Sequence, residues 1–223
     1  AAGRAGPQSL MQATASPAIT HLLYLHGFRS SPQSKKARQF GDWVRAHRPD
    51  LQWWCPQLPP SPSDALALLI EGTKDWPLAH TAVVGSSLGG FYATVLAERW
   101  ARSDDRPDGD SVRAALLNPA VHPARDLAAH IGETTSWHDG DRFFFRPEFI
   151  DELQELSPDQ ITQPQRYFAV IAKGDEVLDW REMSSRYADC SIRLLEGSDH
   201  ALSDFDDHLK ATIDFLGLEA GAA

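Results

Sequence analysis

Val83-Val84-Gly85-Ser86-Ser87-Leu88-Gly89-Gly90 is the stretch on which the reading of this chain turns. It stands where an apolar run, Thr81 to Val84, gives way to a helical pattern from Phe91 to Trp100. Its frame is Gly85-x-Ser87-x-Gly89, because centring on Ser86 would put Val84 and Leu88 where glycines belong. Small residues on both sides of a serine allow a strand-to-helix turn so tight that the hydroxyl projects outward. A serine hydroxyl is a poor nucleophile until a base takes its proton and its surroundings stabilise the resulting oxyanion. The motif therefore gains meaning only if such partners exist elsewhere in the chain.

Working outward, short apolar runs alternate with amphipathic stretches. His21-Leu22-Leu23-Tyr24-Leu25 reads as a strand buried on both faces and ends in His26-Gly27. Lys35 to His47 carries Ala37, Phe40, Trp43 and Val44 near one face of a helix that Pro49 ends. Leu51 to Cys55 is a second strand, closed by Pro56-Gln57-Leu58-Pro59-Pro60, after which Ser63 is expected to cap a helix bearing Leu66, Leu69 and Ile70. Val112–Leu117, Tyr167–Ala172 and Ile192–Leu195 are further strands, and Trp180–Tyr187 and Phe205–Phe215 further helices.

About six strands interleaved with helices predict an α/β protein, a mostly parallel sheet covered on both faces, as a single domain over residues 19–218. The stretch from about His122 to Gln165 interrupts the alternation. Its aromatics, Trp137, Phe143, Phe144, Phe145 and Phe149, suggest a small cap inserted over the carboxyl edge of the sheet.

Composition narrows the function classes. The 223 residues are 42% hydrophobic and 23% charged, which is ordinary for a globular protein with one core. A formal net charge of −10 argues against general nucleic-acid binding, which needs a basic face. No apolar run reaches the roughly 20 residues that span a bilayer. Cys55 and Cys190 form neither a CxxC pair nor a disulfide framework and read as buried thiols of a reducing, cytoplasmic compartment. Residues 1–18 lack the apolar middle of a secretory signal and are expected to be a disordered extension or expression leader. Arg102 to Asp110 reads as a charged loop, and the tail from Glu219 is expected to fray. Neither a ligand-spaced Cys/His set nor a glycine-rich phosphate loop occurs, His80, His122 and His130 being scattered, so no metal and no organic cofactor is expected.

The serine's partners fall where they are needed. Asp175 follows a buried strand in Lys173-Gly174-Asp175-Glu176-Val177, and His200 follows the last strand in Gly197-Ser198-Asp199-His200. Serine, acid and histidine thus occur in one of the known triad orders, each at the carboxyl end of a separate apolar run. A parallel sheet brings all three to one edge. Ser87 would attack an acyl carbon, His200 would act as general base and then acid, and Asp175 would orient the imidazole. Glu176 and Asp179 are rival acids, whereas Asp199 diverges from its neighbour His200. Taken singly, Asp175 could be a turn residue and His200 a surface loop histidine. Backbone N–H groups of Leu88, after the nucleophile, and Phe28, after Gly27, are the expected oxyanion-hole donors. His26 reads either as a substrate-side residue or as a buried, hydrogen-bonded loop residue.

Tyr24-Leu25-His26-Gly27-Phe28-Arg29-Ser30-Ser31-Pro32, Pro56-Gln57-Leu58-Pro59-Pro60 and Gly85-Ser86-Ser87-Leu88-Gly89-Gly90 together resemble the bacterial YqiA-like esterases. So do Asn118-Pro119-Ala120, Gly174-Asp175-Glu176-Val177-Leu178-Asp179 and Gly197-Ser198-Asp199-His200-Ala201, in the same order, from about His21 to Leu218. That family is a compact branch of the α/β-hydrolase superfamily. The resemblance implies an intracellular carboxylester hydrolase, with acyl thioesters as a further substrate class and Ser87, Asp175 and His200 in the triad positions. The N-terminal extension, the 102–110 loop and details of 122–165 depart from the family pattern, which leaves substrate preference open.

Two side-chain clusters remain. Arg29, Lys35, Lys36 and Arg38 either hold an anionic part of the substrate, such as a carboxylate or the phosphates of an acyl-CoA, or form a solvated helix face. Phe143-Phe144-Phe145 either line an acyl pocket or pack the insertion onto the sheet, since three consecutive residues cannot all face one cavity. The expected function is a serine carboxylester hydrolase acting on a small acyl ester. An acyl-CoA thioesterase using the same triad is the alternative within enzymes, and a non-catalytic binding protein of the same fold is the alternative outside them. Acyl length, oligomeric state and physiological substrate are not written in these patterns.

Overall fold

The computed structural model describes residues 18–102, 112–135, 140 and 142–219. The expected N-terminal extension, the charged 102–110 loop and the chain's tail lie almost wholly outside these residues. Along the chain come β1 (His21–Leu25), α1 (Lys35–His47), β2 (Gln52–Trp54), α2 (Pro62–Thr73), β3 (Thr81–Ser86), α3 (Leu88–Ala101) and β4 (Arg113–Leu117). There follow α4 (Pro123–Leu127), β5 (Gly132–Thr135), β6 (Arg142–Phe145), α5 (Glu148–Leu156), β7 (Tyr167–Ala172), α6 (Trp180–Arg186), β8 (Ser191–Leu195) and α7 (Asp206–Leu216).

Six strands make one parallel sheet in the order β2-β1-β3-β4-β7-β8. Side chains alternate across a strand, so a sheet covered on both sides needs apolar residues at every position. Leu22 and Tyr24 accordingly join Phe40 and Val44 of α1 and Ile213 and Leu216 of α7 in one core layer. Leu23 and Leu25 join Leu69 of α2 and Phe91 and Leu96 of α3 in the other. The run His21–Leu25 looked continuous in sequence because both of its faces are inside.

Local rules set the helix starts. Ser34 caps α1, its hydroxyl accepting from the Ala37 amide. The start of α2 differs from the sequence expectation, because its cap is Ser61 rather than Ser63. Pro62 lacks an N–H and has a fixed φ, which suits it to the first helical position and moves the cap to the residue before it. Ser63 sits inside the first turn, where its amide donates to Glu152 of α5 at 2.9 Å.

The stretch 122–165 builds α4, an antiparallel β5–β6 hairpin and α5. Sequence periodicity did not reveal the hairpin, whose strands are four residues each and bury little beyond Phe145. From β1 the chain goes to β2 on one side; from β3 it goes to β4 on the other. The carboxyl ends of β1 and β3 therefore flank a topological switch point, where parallel sheets leave a crevice.

Candidate active site

Ser87 is the residue between β3 and α3, and its backbone has φ 55° and ψ −119°. A side chain at positive φ is strained by about 1–3 kcal/mol and persists only when its surroundings over-determine it. They do so here. The Ser87 amide donates to the Leu117 carbonyl at 3.0 Å, and its carbonyl accepts from Gly90 at 2.9 Å and Ala120 at 3.0 Å. The flanking glycines are required by close approach: a Cβ on Gly85 would lie 2.2 Å from the Gly89 oxygen, and one on Gly89 would lie 2.0 Å from the Leu25 oxygen. The helix start thus rests directly on the end of β1.

His200 Nε2 lies 3.0 Å from Ser87 Oγ, and its Nδ1 lies 2.8 Å from Asp175 Oδ2. The network assigns the proton of the neutral ring to Nδ1, leaving Nε2 to accept from the serine. The Asp175 side chain is 0% exposed and that of His200 15%. Asp175 Oδ1 accepts the amides of Val177 and Leu178, each at 2.8 Å, so both carboxylate oxygens are committed. The rival acids are engaged otherwise. Asp179 caps α6 through the Arg181 amide, Glu176 accepts the His200 amide, and Asp199 accepts from the amide and hydroxyl of Ser203.

A cavity of about 660 Å³ opens over Ser87 and His200 and includes Phe28 and Leu88 in its lining. The Phe28 ring contacts His130, Phe143 and Phe145 at centroid distances of 5.2–5.9 Å, which sets the 122–165 stretch against the loop after β1. Arg29, at φ 59°, donates from Nε to the Thr135 carbonyl at 2.6 Å, so this guanidinium lies on the cavity wall tied to the hairpin. A second cavity of about 360 Å³ adjoins the first along the loop after β1, sharing His26, Gly27, Phe28 and Leu88 among its lining, with Leu58, Pro59, Tyr92 and Phe143 also on its wall.

The aromatic triplet divides as an alternating strand demands: Phe143 on the cavity, Phe144 58% exposed and Phe145 buried. His26 is buried, its Nε2 accepting the Leu58 amide at 3.0 Å and its Nδ1 2.9 Å from the Gly27 oxygen. That geometry suits the loop-structuring reading of His26. Cys55 and Cys190 are half-buried free thiols, pushed up by burial to about 12 and about 11, well away from nucleophilic character. Among the described residues, no group of three His, Cys, Asp or Glu is placed to hold a metal ion, and no helix is long and apolar enough to cross a membrane.

Sequence reasoning assigned no role to Asn118, the first residue after β4. It is fully buried and has φ 43°. Its Oδ1 accepts the Ala172 amide at 2.8 Å, at the end of β7, while Nδ2 donates to the carbonyls of Asp199 at 3.0 Å and His200 at 3.2 Å. One amide side chain therefore joins the strand leading to Asp175 with the loop carrying His200. An asparagine at a strand end, where a polar residue has no reason to be buried unless it is bonded, was the available signal.

A family model described as an uncharacterised protein family, UPF0227, matches residues 21–217. The chain belongs to this family. UPF0227 is the YqiA-like family, and its match spans every strand and helix described above. Solved structures show that this UPF0227 member shares the fold of α/β-hydrolases. A putative hydrolase from Agrobacterium vitis S4 is similar at 16% identity, covering 88% of this chain and 91% of its own, with a TM-score of 0.65. Alpha/beta hydrolase domain-containing protein 10 from mouse is similar at 18% identity, 88% coverage of both chains and a TM-score of 0.65. A monoacylglycerol lipase from Paleococcus ferrophilus matches at 12% identity, covering 91% and 96%, with a TM-score of 0.63. At these identities the likeness extends to the fold.

Proposed function

We propose that this UPF0227 member is a serine carboxylester hydrolase acting through an acyl-Ser87 intermediate. The observation that carries the proposal is the continuous hydrogen-bonded line Ser87–His200–Asp175, at 3.0 and 2.8 Å, with the serine on a strained strand-to-helix turn. Ser87 Oγ attacks the acyl carbon while His200 Nε2 takes its proton. The carbonyl oxygen becomes an oxyanion that accepts from the amides of Phe28 and Leu88. As the tetrahedral species collapses, His200 gives the proton to the leaving oxygen and an ester on Ser87 remains. Water then attacks that ester, losing a proton to His200. The proton returns to Ser87 Oγ as the carboxylic acid leaves.

Asp175 holds the Nδ1–H tautomer and stabilises the imidazolium formed in both halves of the cycle. Its buried side chain supports that role, because a carboxylate out of water interacts more strongly with the developing charge. Within this proposal the domain runs from 19 to 218, and 122–165 is a small cap whose Phe143, with Arg29, shapes the substrate side, while His26 holds the loop after β1 to Leu58. An acyl thioester presents the same acyl carbon with a better leaving group, so thioesterase activity is a second reading. The similarity in fold to a monoacylglycerol lipase agrees with acyl-ester chemistry.

Ser87→Ala is expected to lower hydrolysis of a short chromogenic ester by at least about 10⁴-fold while leaving the circular dichroism spectrum unchanged. A fluorophosphonate probe should label Ser87 and fail to label His200→Ala. Undiminished turnover by Ser87→Ala would overturn the assignment in favour of another nucleophile, or of contaminating activity. Absence of turnover and labelling in the wild-type protein would favour a binding protein.

A further inference from the structure

Two ammonium groups at the catalytic cavity play no part in the cycle just described. Lys35 and Lys36 open α1, next to its cap Ser34, and both line the cavity that holds Ser87 and His200. They are more than a solvated helix face. Lys36 Nζ donates to the Ala201 carbonyl, and Lys35 Nζ donates to the Ser203 carbonyl at 2.9 Å. Arg38, by contrast, is exposed and lines no part of this cavity.

An ammonium has three donors, so each lysine keeps capacity beyond its one carbonyl bond. Lys35 is partly balanced by Asp206 at 3.9 Å. Lys36 is half-buried and, among the described residues, makes no ion pair. Burial pushes its pKa down to about 8, against the upward pull of Asp199 and Asp175, with Lys35 adding to the downward push. A cation partly removed from water without an ion-pair partner is stabilised by an anion that enters beside it. The carboxylates on the cavity wall are already occupied: Glu176 accepts the His200 amide and Asp126 accepts from Arg125.

The placement also says which part of a substrate meets these lysines. His200 must deliver its proton to the leaving oxygen, so the leaving group lies on the His200 side. Ala201 and Ser203, the carbonyl partners of the two lysines, follow His200 by one and three residues.

We propose that Lys36, with Lys35 beside it, forms an anion subsite on the leaving-group side of the cavity, which takes a carboxylate or phosphate carried by the alcohol part of the ester. This rests on the serine-hydrolase reading for its orientation, and its test separates the two. The full chain bearing Ser87→Ala, which cannot turn the ligand over, is titrated calorimetrically with 4-acetoxybenzoate, 4-acetoxyphenyl phosphate and the neutral methyl 4-acetoxybenzoate.

The subsite requires at least one anionic ester to bind about tenfold tighter than the neutral one, the size of one charge-assisted hydrogen bond. Whichever anion gains more identifies the group that the subsite prefers. Adding Lys36→Met should remove the advantage, and Lys36→Arg should retain most of it. If Lys36 only positioned the His200 loop, Lys36→Met would weaken all three ligands alike and leave their ratio unchanged. That result, equal binding of charged and neutral esters, or no binding of any of them, overturns the proposal. Anion-selective binding without turnover by the wild-type protein would support the subsite and count against the hydrolase reading instead.

Discussion

The turn that carries Ser87 and the loop that carries His200 face each other across 3.0 Å, yet they are held in opposite ways. The serine turn is made rigid by what is missing from it. Gly85 and Gly89 have no side chains, so α3 can start within van der Waals contact of the end of β1. Its strain is confined to residues adjacent in sequence and to strand neighbours. The histidine loop also contains strained backbone, with φ 66° at Ser198 and 50° at Leu202. Its restraints, however, come from far away in the chain: Asn118 after β4, Glu176 after β7, and Lys35 and Lys36 at the start of α1. Placement of Ser87 is thus a matter of backbone, its own turn and the ends of β1 and β4 against it, and placement of His200 a matter of side chains gathered by the fold.

The contrast breaks if variants on the two sides fail in the same way. The largest effect is expected from Gly89→Ala. Its Cβ would meet backbone oxygen at 2.0 Å, and backbone cannot rotate out of the way as a side chain can. Overpacking of this kind should destabilise the protein by about 3 kcal/mol or more, visible as a lowered urea midpoint with an unchanged slope. A Gly89→Ala protein of wild-type stability would contradict the close contact between helix and strand.

Next comes Asn118→Ala on the histidine side. Loss of its bonds leaves buried partners unsatisfied and costs about 1–3 kcal/mol, so the protein should still fold. Displacement of His200 should lower kcat about 10²-fold, with KM little changed. Asn118→Asp keeps the Oδ1 acceptor but removes the Nδ2 donors. It should retain the β7 contact while losing activity, which separates the two ends of the bridge. A drop in stability without any drop in kcat would make Asn118 a structural residue only.

The smallest effect concerns pH. The free-enzyme Lys36 ammonium, held near 8, is charged below that pH and loses its proton as pH rises through it. The kcat/KM for an anionic ester divided by that for its neutral analogue should therefore be flat below about pH 7 and fall as the pH passes 8. Taking the ratio cancels the ionisation of His200. The charged groups around Lys36 (Lys35, Asp175, Asp199 and Glu176) are common to both substrates as well. A ratio independent of pH to 10 would remove Lys36 from the selectivity.

Much of this was legible beforehand, for identifiable reasons. Strands buried on both faces leave uninterrupted apolar runs, and Tyr167–Ala172 was bounded from sequence as the structure has it. Helix α1 was likewise bounded correctly by its apolar spacing and Pro49. The cap of α2 was misplaced because serines flank Pro62 on both sides, and only the proline's missing N–H distinguishes them. The β5–β6 hairpin went unread because short, half-exposed strands carry little periodicity. Asn118 was visible as part of a motif, but its bonds span 54 and 82 residues and nothing local announces them.

The sequence by itself determined the alternation of strands and helices, the glycines that let Ser87 project, and the appearance of Asp175 and His200 after later strands. These follow from backbone sterics and side-chain periodicity, which act over a few residues. Tertiary structure alone decided which of the neighbouring acids meets His200 Nδ1, which aromatic of Phe143–Phe145 reaches a cavity, and that Lys35 and Lys36 lean over the histidine loop. Such choices depend on distances between segments 25 or more residues apart, which only the closing of the sheet and its covering helices can set.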